Sequence, residues 1–237
     1  MKSFRLRSFV RRDGRRTPAQ ERAWETLWPQ YGLEMANGFL DYRNAFHRDA
    51  PTHLEIGFGS GLSLLAIAKA EPDKNFIGVE THKPGIGALF LGMQTQGLTN
   101  LRVYYADVID VLEKCIPDNS LASVQIFFPD PWPKRRHHPR RLIQTPFVKL
   151  IVSKLIPQGE LHLATDWEDY AIHMLQVVSA EPALTNLAGD HCFAARSPLR
   201  PVVTKFERRA EREGRVIREL QLRKDEKNLL PIPPSNR

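Results

Sequence analysis

Cysteine is nearly absent from this sequence: Cys115 and Cys192 are the only two in 237 residues. Two cannot build a disulfide framework, and their separation matches no metal-ligand spacing, so a reducing cytoplasm is the expected setting. Long apolar runs are missing as well. No stretch approaches the roughly 18 to 20 residues that a membrane-spanning helix requires. His137 and His138 are adjacent, with no third His, Cys or acid at ligand spacing nearby, and no metal is assigned. Ser60 and Ser63 lack a paired His and Asp, which leaves acyl transfer unsupported. There is no internal repeat. Acid is short relative to base, 27 Asp and Glu against 34 Lys and Arg, and the resulting charge of +7 suits a polyanionic partner.

What the sequence does contain is centred on Leu54-Glu55-Ile56-Gly57-Phe58-Gly59-Ser60-Gly61. An apolar run from His53 to Ile56 enters it, and helix formers from Leu62 to Lys69 leave it. That pattern is strand, tight glycine turn, helix, the opening of a nucleotide-binding α/β unit. A dinucleotide fingerprint beginning at Gly57 would need glycine at position 62, which is leucine. The pattern present is E-x-G-x-G-x-G. An acid two residues before the first glycine is a poor neighbour for a pyrophosphate but suits a ligand with positive charge. S-adenosylmethionine carries a sulfonium and an ammonium and no phosphate, so it is favoured over a dinucleotide.

From Pro51 onward, strand and helix patterns alternate. Strands are expected at 53–56, 75–80, 101–106, 122–128 and 160–165, and a half-exposed one at 219–223. Helices are expected at 84–97, 145–155 and 167–180, and Pro157-Gln158-Gly159 reads as a turn. Single helices between strands imply a doubly wound α/β fold, a mostly parallel sheet with helices on both faces. Thr17-Pro18-Ala19-Gln20-Glu21 is a helix start that places Trp24, Leu27 and Trp28 on one stripe and ends before Pro29. Residues 32–50 are expected to wrap the surface. Residues 1–50 thus form a basic arm and docking helix, 51–225 the catalytic domain, and 226–237 a tail expected to be disordered. The arm holds seven cations from Lys2 to Arg16 against Asp13 alone. It has no apolar core for a signal peptide, and both a transit segment and a phosphate-binding arm remain open on composition.

The acids are in register. Glu55, Glu80, Asp107 and Asp130 each lie at or just past the C-terminal end of an expected parallel strand, the edge that forms the ligand crevice in such sheets. For Asp107 or Asp166 taken alone, helix capping explains the residue equally well. After the fourth strand comes Phe127-Phe128-Pro129-Asp130-Pro131-Trp132-Pro133-Lys134, where two prolines restrict the backbone around Asp130. Lys134, Arg135, Arg136, His137, His138, Pro139, Arg140 and Arg141 follow, a cluster that suits a phosphate backbone unless it is only a solvated face.

These residues resemble the bacterial tRNA (guanine-N7)-methyltransferase family. The resemblance is carried by the glycine stretch, the Phe127–Trp132 loop, Ala164-Thr165-Asp166-Trp167, Thr204-Lys205-Phe206-Glu207 and Arg7-Ser8-Phe9-Val10-Arg11-Arg12. It turns the arm away from the transit reading. It implies a Rossmann-like, seven-stranded S-adenosylmethionine methyltransferase fold acting on guanine 46 of the tRNA variable loop. Glu55, Gly57, Gly59, Gly61, Glu80, Asp107 and Asp130 would then line the cofactor site, with Asp130 the catalytic candidate. Lys134, Asp166, Thr204, Lys205, Phe206 and Glu207 would bind substrate. Arg136, His137, His138, Pro139, Arg140 and Arg141 would touch RNA. An extra valine in Pro201-Val202-Val203-Thr204 departs from the family pattern, and nothing past Lys224 matches it. No obligatory protein partner is implied, and a monomer is favoured. The rivals are a methyltransferase acting on protein or a small amine, and an RNA-binding module without catalysis.

Overall fold

The computed structural model describes residues 17–198, 200 and 202–226. The expected arm (1–16) and the tail beyond residue 226 lie outside them. The elements are α1 (Pro18–Tyr31), β1 (Gly32–Leu33), α2 (Tyr42–Phe46), β2 (Thr52–Ile56), α3 (Leu62–Ala70), β3 (Asn75–Glu80), α4 (Lys83–Gln96), β4 (Leu101–Tyr105), α5 (Val108–Lys114), β5 (Leu121–Phe127), α6 (Thr145–Lys154), β6 (Leu155–Thr165), α7 (Glu168–Ser179), β7 (Leu184–Asn186), α8 (Lys205–Arg212) and β8 (Arg218–Lys224). Short 3-10 turns occupy Met35–Asn37 and Arg135–Arg140. No helix among the described residues is long and apolar enough to cross a membrane.

The eight strands among the described residues form one sheet in the order β1-β4-β3-β2-β5-β6-β8-β7. It is parallel except where β8 runs antiparallel to β6 and β7. The count differs from the expected seven: six strands lie where the sequence pattern places them, and the three-residue β7 and the two-residue β1 at the edge beside β4 have no counterpart in that pattern. Neither β1 nor β7 is long enough to show the period-two alternation that betrays a strand in sequence. Residues 32–50, expected to wrap the surface, include β1 and α2, and Phe46 is buried in the core.

Period-two alternation sends strand side chains to two cores. Leu54, Ile56, Ile77, Val79, Val124 and Ile126 pack with α5, α6 and α7 on one face. Phe76, Leu101 and Val103 pack with α1, α3 and α4 on the other. The helix α1 begins with a capping box, Thr17 and Gln20 each satisfying the other's backbone N–H. It runs through Pro29 to Tyr31 rather than stopping before the proline. Buried Ala23, Leu27 and Tyr31 hold the last turn in place despite the missing N–H. Trp24 and Trp28 stack on each other at 4.5 Å and lie against Tyr105 and Phe90. A second difference is at Pro157-Gln158-Gly159, which is a bulge inside β6 and not a turn before it. There β6 advances from 155 to 160 while β5 advances from 121 to 123, and Gln158 takes a positive φ of 63° to absorb the extra residues.

Candidate active site

The parallel strands β2, β3, β4 and β5 end along one edge, and a cavity of about 480 Å³ opens there. Its walls bring together Gly57, Gly59, Glu80, Asp130, Lys205 and Phe206 from the expected set. The side chains of Asp107, Asp166, Thr204 and Glu207 do other work around it, and Glu55 lies behind the lining.

The glycine turn is shaped by three positive φ angles, 72° at Gly57, 58° at Gly59 and 75° at Gly61. A Cβ on Gly57 or Gly59 would meet nothing within 4 Å, so these two present bare backbone to the cavity. Gly61 differs: a Cβ there would stand 2.6 Å from Leu89 Cδ1, which makes it a packing glycine at the start of α3. Glu80 braces the turn from the next strand. Its Oε2 accepts the Gly59 N–H at 2.9 Å, and its Oε1 accepts those of Thr81 and His82 at 2.6 and 3.0 Å. Oε1 thus has both lone pairs engaged, while Oε2 keeps one for a ligand hydroxyl.

Glu55 lies behind the turn, 5% exposed, with Oε2 buried and without a hydrogen-bond partner. Burial, reinforced by the Glu80 charge and opposed by that of Arg200, pushes its carboxyl up to about 8. A buried acid left without a partner beside an open turn is what a cationic ligand group would satisfy. Asp107 takes the capping alternative: it is the N-cap of α5 and accepts the Ile109 N–H at 3.0 Å.

The proline loop forms the opposite wall. Phe128 and Trp132, two residues either side of Asp130, both hold positive φ, 52° and 46°. Bulky residues pay a steric cost of about 1 to 2 kcal/mol for that conformation, so their surroundings must hold them. The Phe128 ring stacks on Phe206 at 6.1 Å with 17° between planes. Trp132 lies against the Arg140 guanidinium at 5.1 Å and the edge of His137 at 5.8 Å. Between them Asp130 is exposed at the cavity wall.

Arg141 is corrected by the structure. Its side chain is only 2% exposed, paired with Asp169 and stacked over Tyr170 at 4.9 Å. Its Nε donates to the Pro131 carbonyl at 2.9 Å, which ties the proline loop to α7. It holds the loop and presents no charge to a phosphate. Lys134, Arg135 and Arg136 are exposed. Slight burial and the charges of Arg140, Arg136 and Lys134 hold the His137 imidazole below its ordinary pKa.

Thr204 and Glu207 close a capping box at the start of α8, with Thr204 N–H to Glu207 Oε2 at 2.7 Å. Glu207 is 1% exposed, so the four expected substrate residues divide: Lys205 and Phe206 face the cavity, and Thr204 and Glu207 build the helix that presents them. Asp166 is bound to Arg215 through Nε at 2.9 Å and Nη2 at 2.8 Å, tying the end of β6 to the segment after α8. Sequence reasoning missed Gln20, which brings the start of α1 to the cavity, and Gly85, where a Cβ would stand 2.0 Å from the Gly59 carbonyl. The Pro84-Gly85 pair at a helix start was the available signal for the second. Arg200 had no signal.

A family model described as "Putative methyltransferase" matches residues 49–220. The tRNA (guanine-N(7)-)-methyltransferase of Alcanivorax borkumensis is 52% identical over 220 residues, 93% of this chain and 92% of that one. The protein of the same description from Idiomarina loihiensis is 51% identical over 218 residues, 92% and 89% of the two chains. Among solved structures, the 16S rRNA methyltransferase KamB superposes with a TM-score of 0.57 at 15% identity, covering 79% of this chain and 94% of that one. Sheet order, glycine turn and that likeness define a doubly wound methyltransferase fold. At the identity and coverage of its relatives, the chain belongs to the tRNA (guanine-N(7)-)-methyltransferase family.

Proposed function

We propose that this protein transfers a methyl group from S-adenosylmethionine to N7 of guanine 46 in the variable loop of tRNA, in the cytoplasm. The observation that carries the reading is the shared cavity: Asp130 faces the same space as the glycine turn and Glu80, and the exposed cations begin four residues later at Lys134. The residues present fit the cofactor. Bare backbone at Gly57 and Gly59 admits close approach, Glu80 Oε2 keeps a lone pair for a ribose hydroxyl, and the partnerless Glu55 oxygen suits an ammonium.

S-adenosylmethionine supplies an electrophilic methyl on a sulfonium. The acceptor, guanine N7, carries a free lone pair and no proton at neutral pH, so no residue needs to act as a base. What the protein contributes is alignment and exclusion of water. Asp130, fixed between Pro129 and Pro131, is suited to accept N1–H and N2–H₂ of guanine, an edge adenine lacks. Its charge stays favourable as positive charge moves onto the purine. Lys205 and Phe206 offer a cation and a flat face at the opposite wall, and Lys134 and Arg136 lie where phosphates would approach. Asp166, already held by Arg215, keeps the α8 side of the crevice in place.

Mapping methylated nucleotides in tRNA treated with the protein tests the reading. N7-methylguanosine at position 46 is the expected product. Methyl groups on another nucleotide would overturn the position, and transfer only to protein or small amines would overturn the acceptor class.

A further inference from the structure

A buried charge cluster lies beneath the crevice, and the mechanism above makes no use of it. Arg200, in the segment between β7 and α8, has a side chain only 2% exposed. Its Nη2 donates to Glu207 Oε1, and its Nη1 forms an ion pair with Glu219 Oε1 at 3.2 Å that lacks hydrogen-bond geometry. The guanidinium also lies over two aromatic rings, Phe127 at 5.1 Å and Phe128 at 5.3 Å. Glu219 is in turn bound through Oε2 to His162 Nε2 at 2.8 Å and to the Ser197 N–H at 3.1 Å. Burial raises the Glu219 carboxyl, but His162, Arg200 and Ser197 together outweigh it and leave it below its ordinary value.

Stability alone does not call for this arrangement. Replacing a buried ion cluster with apolar side chains of similar volume is often neutral or stabilising. The geometry suggests what is gained. Glu207 is the capping-box residue of α8, so its bond to Arg200 sets where Lys205 and Phe206 sit. Phe128 begins the loop that carries Asp130, and its strained backbone needs a packed ring. Phe128, which lies under the guanidinium, and Phe206, one residue before Glu207 on α8, face each other across the crevice mouth. A planar guanidinium can bond two carboxylates and stack on rings at once; a lysine cannot.

We propose that Arg200 is a positioning residue for methyl transfer, fixing the separation between the Lys205–Phe206 wall and the Asp130 loop. It acts through Glu207 and Phe128 and does not touch the substrate. The inference rests on the tRNA reading above, and wild-type protein assayed in parallel separates the two. Were wild type to methylate a different acceptor, the reading would fall, and the comparisons below would still test Arg200 on that acceptor.

The test compares Arg200→Met, Arg200→Lys and Glu207→Gln with wild type. It measures thermal midpoint, S-adenosylmethionine Kd by calorimetry and single-turnover methyl transfer at saturating tRNA. Arg200→Met should stay folded and keep its cofactor Kd within a few fold, yet lose rate by about 100-fold, the usual cost of a misplacement near 1 Å. Arg200→Lys should recover less than a third of that loss on a logarithmic scale. Glu207→Gln keeps a residue able to close the capping box and should lose about tenfold in rate, an intermediate loss as for one charged hydrogen bond. It decides the matter if Arg200→Met fails to fold. Phe206→Ala is the coupling probe: it should slow wild type but cost less than twofold more in the Arg200→Met background. Wild-type rates in the folded variants, an unchanged Phe206→Ala penalty, or a cofactor Kd that weakens in step with the rate would each overturn the proposal.

Discussion

The two loops that wall the crevice reach the same backbone region by opposite means. The glycine turn holds φ near +60 to +75° at Gly57, Gly59 and Gly61 with no side chain to object. The proline loop holds φ near +50° at Phe128 and Trp132, which L-residues with large rings rarely adopt. The first loop empties space for a ligand; the second fills it with aromatic surface. An unstrained turn can be specified locally, whereas a strained one must be held from outside. Here Phe206, Arg200, Arg140 and Arg141 do the holding. The glycine turn therefore takes its shape from adjacent residues, with Glu80 as a brace, whereas the proline loop depends on contacts with distant parts of the chain.

The largest test of this contrast is Asp130→Asn. It should cut single-turnover transfer by about 100-fold or more while leaving cofactor Kd within a few fold, because misplacing the acceptor costs that much. Its companion is the wild-type rate in heavy water, expected to match that in light water at saturation. A large isotope effect on the chemical step would make Asp130 a base and end the positioning account. Next comes Glu80→Ala, which removes the brace on Gly59 and should weaken S-adenosylmethionine by about 1.5 to 3 kcal/mol with tRNA affinity nearly unchanged. Loss of tRNA binding to the same extent would show that the two walls are not separable.

Glu55 gives a pH signature on the cofactor side alone. Its carboxyl sits at about 8 in the folded protein, above its ordinary value, so at pH 6 it holds a proton that a cationic ligand would displace. Cofactor affinity should therefore rise between pH 6 and 7.5, by at most about tenfold per unit, with a proton released. The free protein should lose stability as pH rises from about 4.5 through 8, since over that range the folded state holds more protons than the unfolded one. Calorimetry in buffers of different ionisation enthalpy checks the first, and thermal midpoints against Glu55→Gln check the second.

On the acceptor side, Arg136→Ala and Arg140→Ala should each lower the salt slope of tRNA binding by roughly 0.7 to 0.9. An unchanged slope would make the cluster a solvated face. The smallest effect on stability is expected from an exchange between the loops. Phe128→Gly relieves backbone strain but loses the ring, so stability should move by no more than about 1 kcal/mol while tRNA KM rises. Gly59→Ala at the matching conformation should weaken the cofactor instead. Equal effects on both ligands would erase the distinction.

How much the sequence revealed follows the same division. The strands β2 to β6 and the helices α3, α4 and α6 show in periodicity because each buries a local, regular pattern, whereas the seven-residue α5 between β4 and β5 is too short to display one and is not anticipated. The acids Glu55 and Glu80 stand out because strand ends are where open α/β sheets bind ligands, and the structure puts Glu80 on the cavity wall and Glu55 behind it. Arg141 misled because a charge run reads as exposed, and nothing local says that one member turns inward to Asp169 and Tyr170. Glu207 misled for a related reason, since a capping-box acid and a ligand-binding acid have the same letter. Arg200 and Glu219 stayed silent because their partnership joins residues from separate elements, a relation that period and spacing do not encode.

The placement of β8 has a consequence for how the protein is made. β7 comes earlier in the chain but lies outboard of β8, which is inserted between it and β6. During synthesis from the N-terminus, β6 keeps a bare edge and β7 has no strand to pair with until residues 218–224 exist. Those residues carry Glu219, the partner of both Arg200 and His162. On a growing chain the glycine turn and its helices can therefore assemble first, and the wall that would receive RNA comes last. A nascent chain could hold the methyl donor before it had a shaped place for the acceptor.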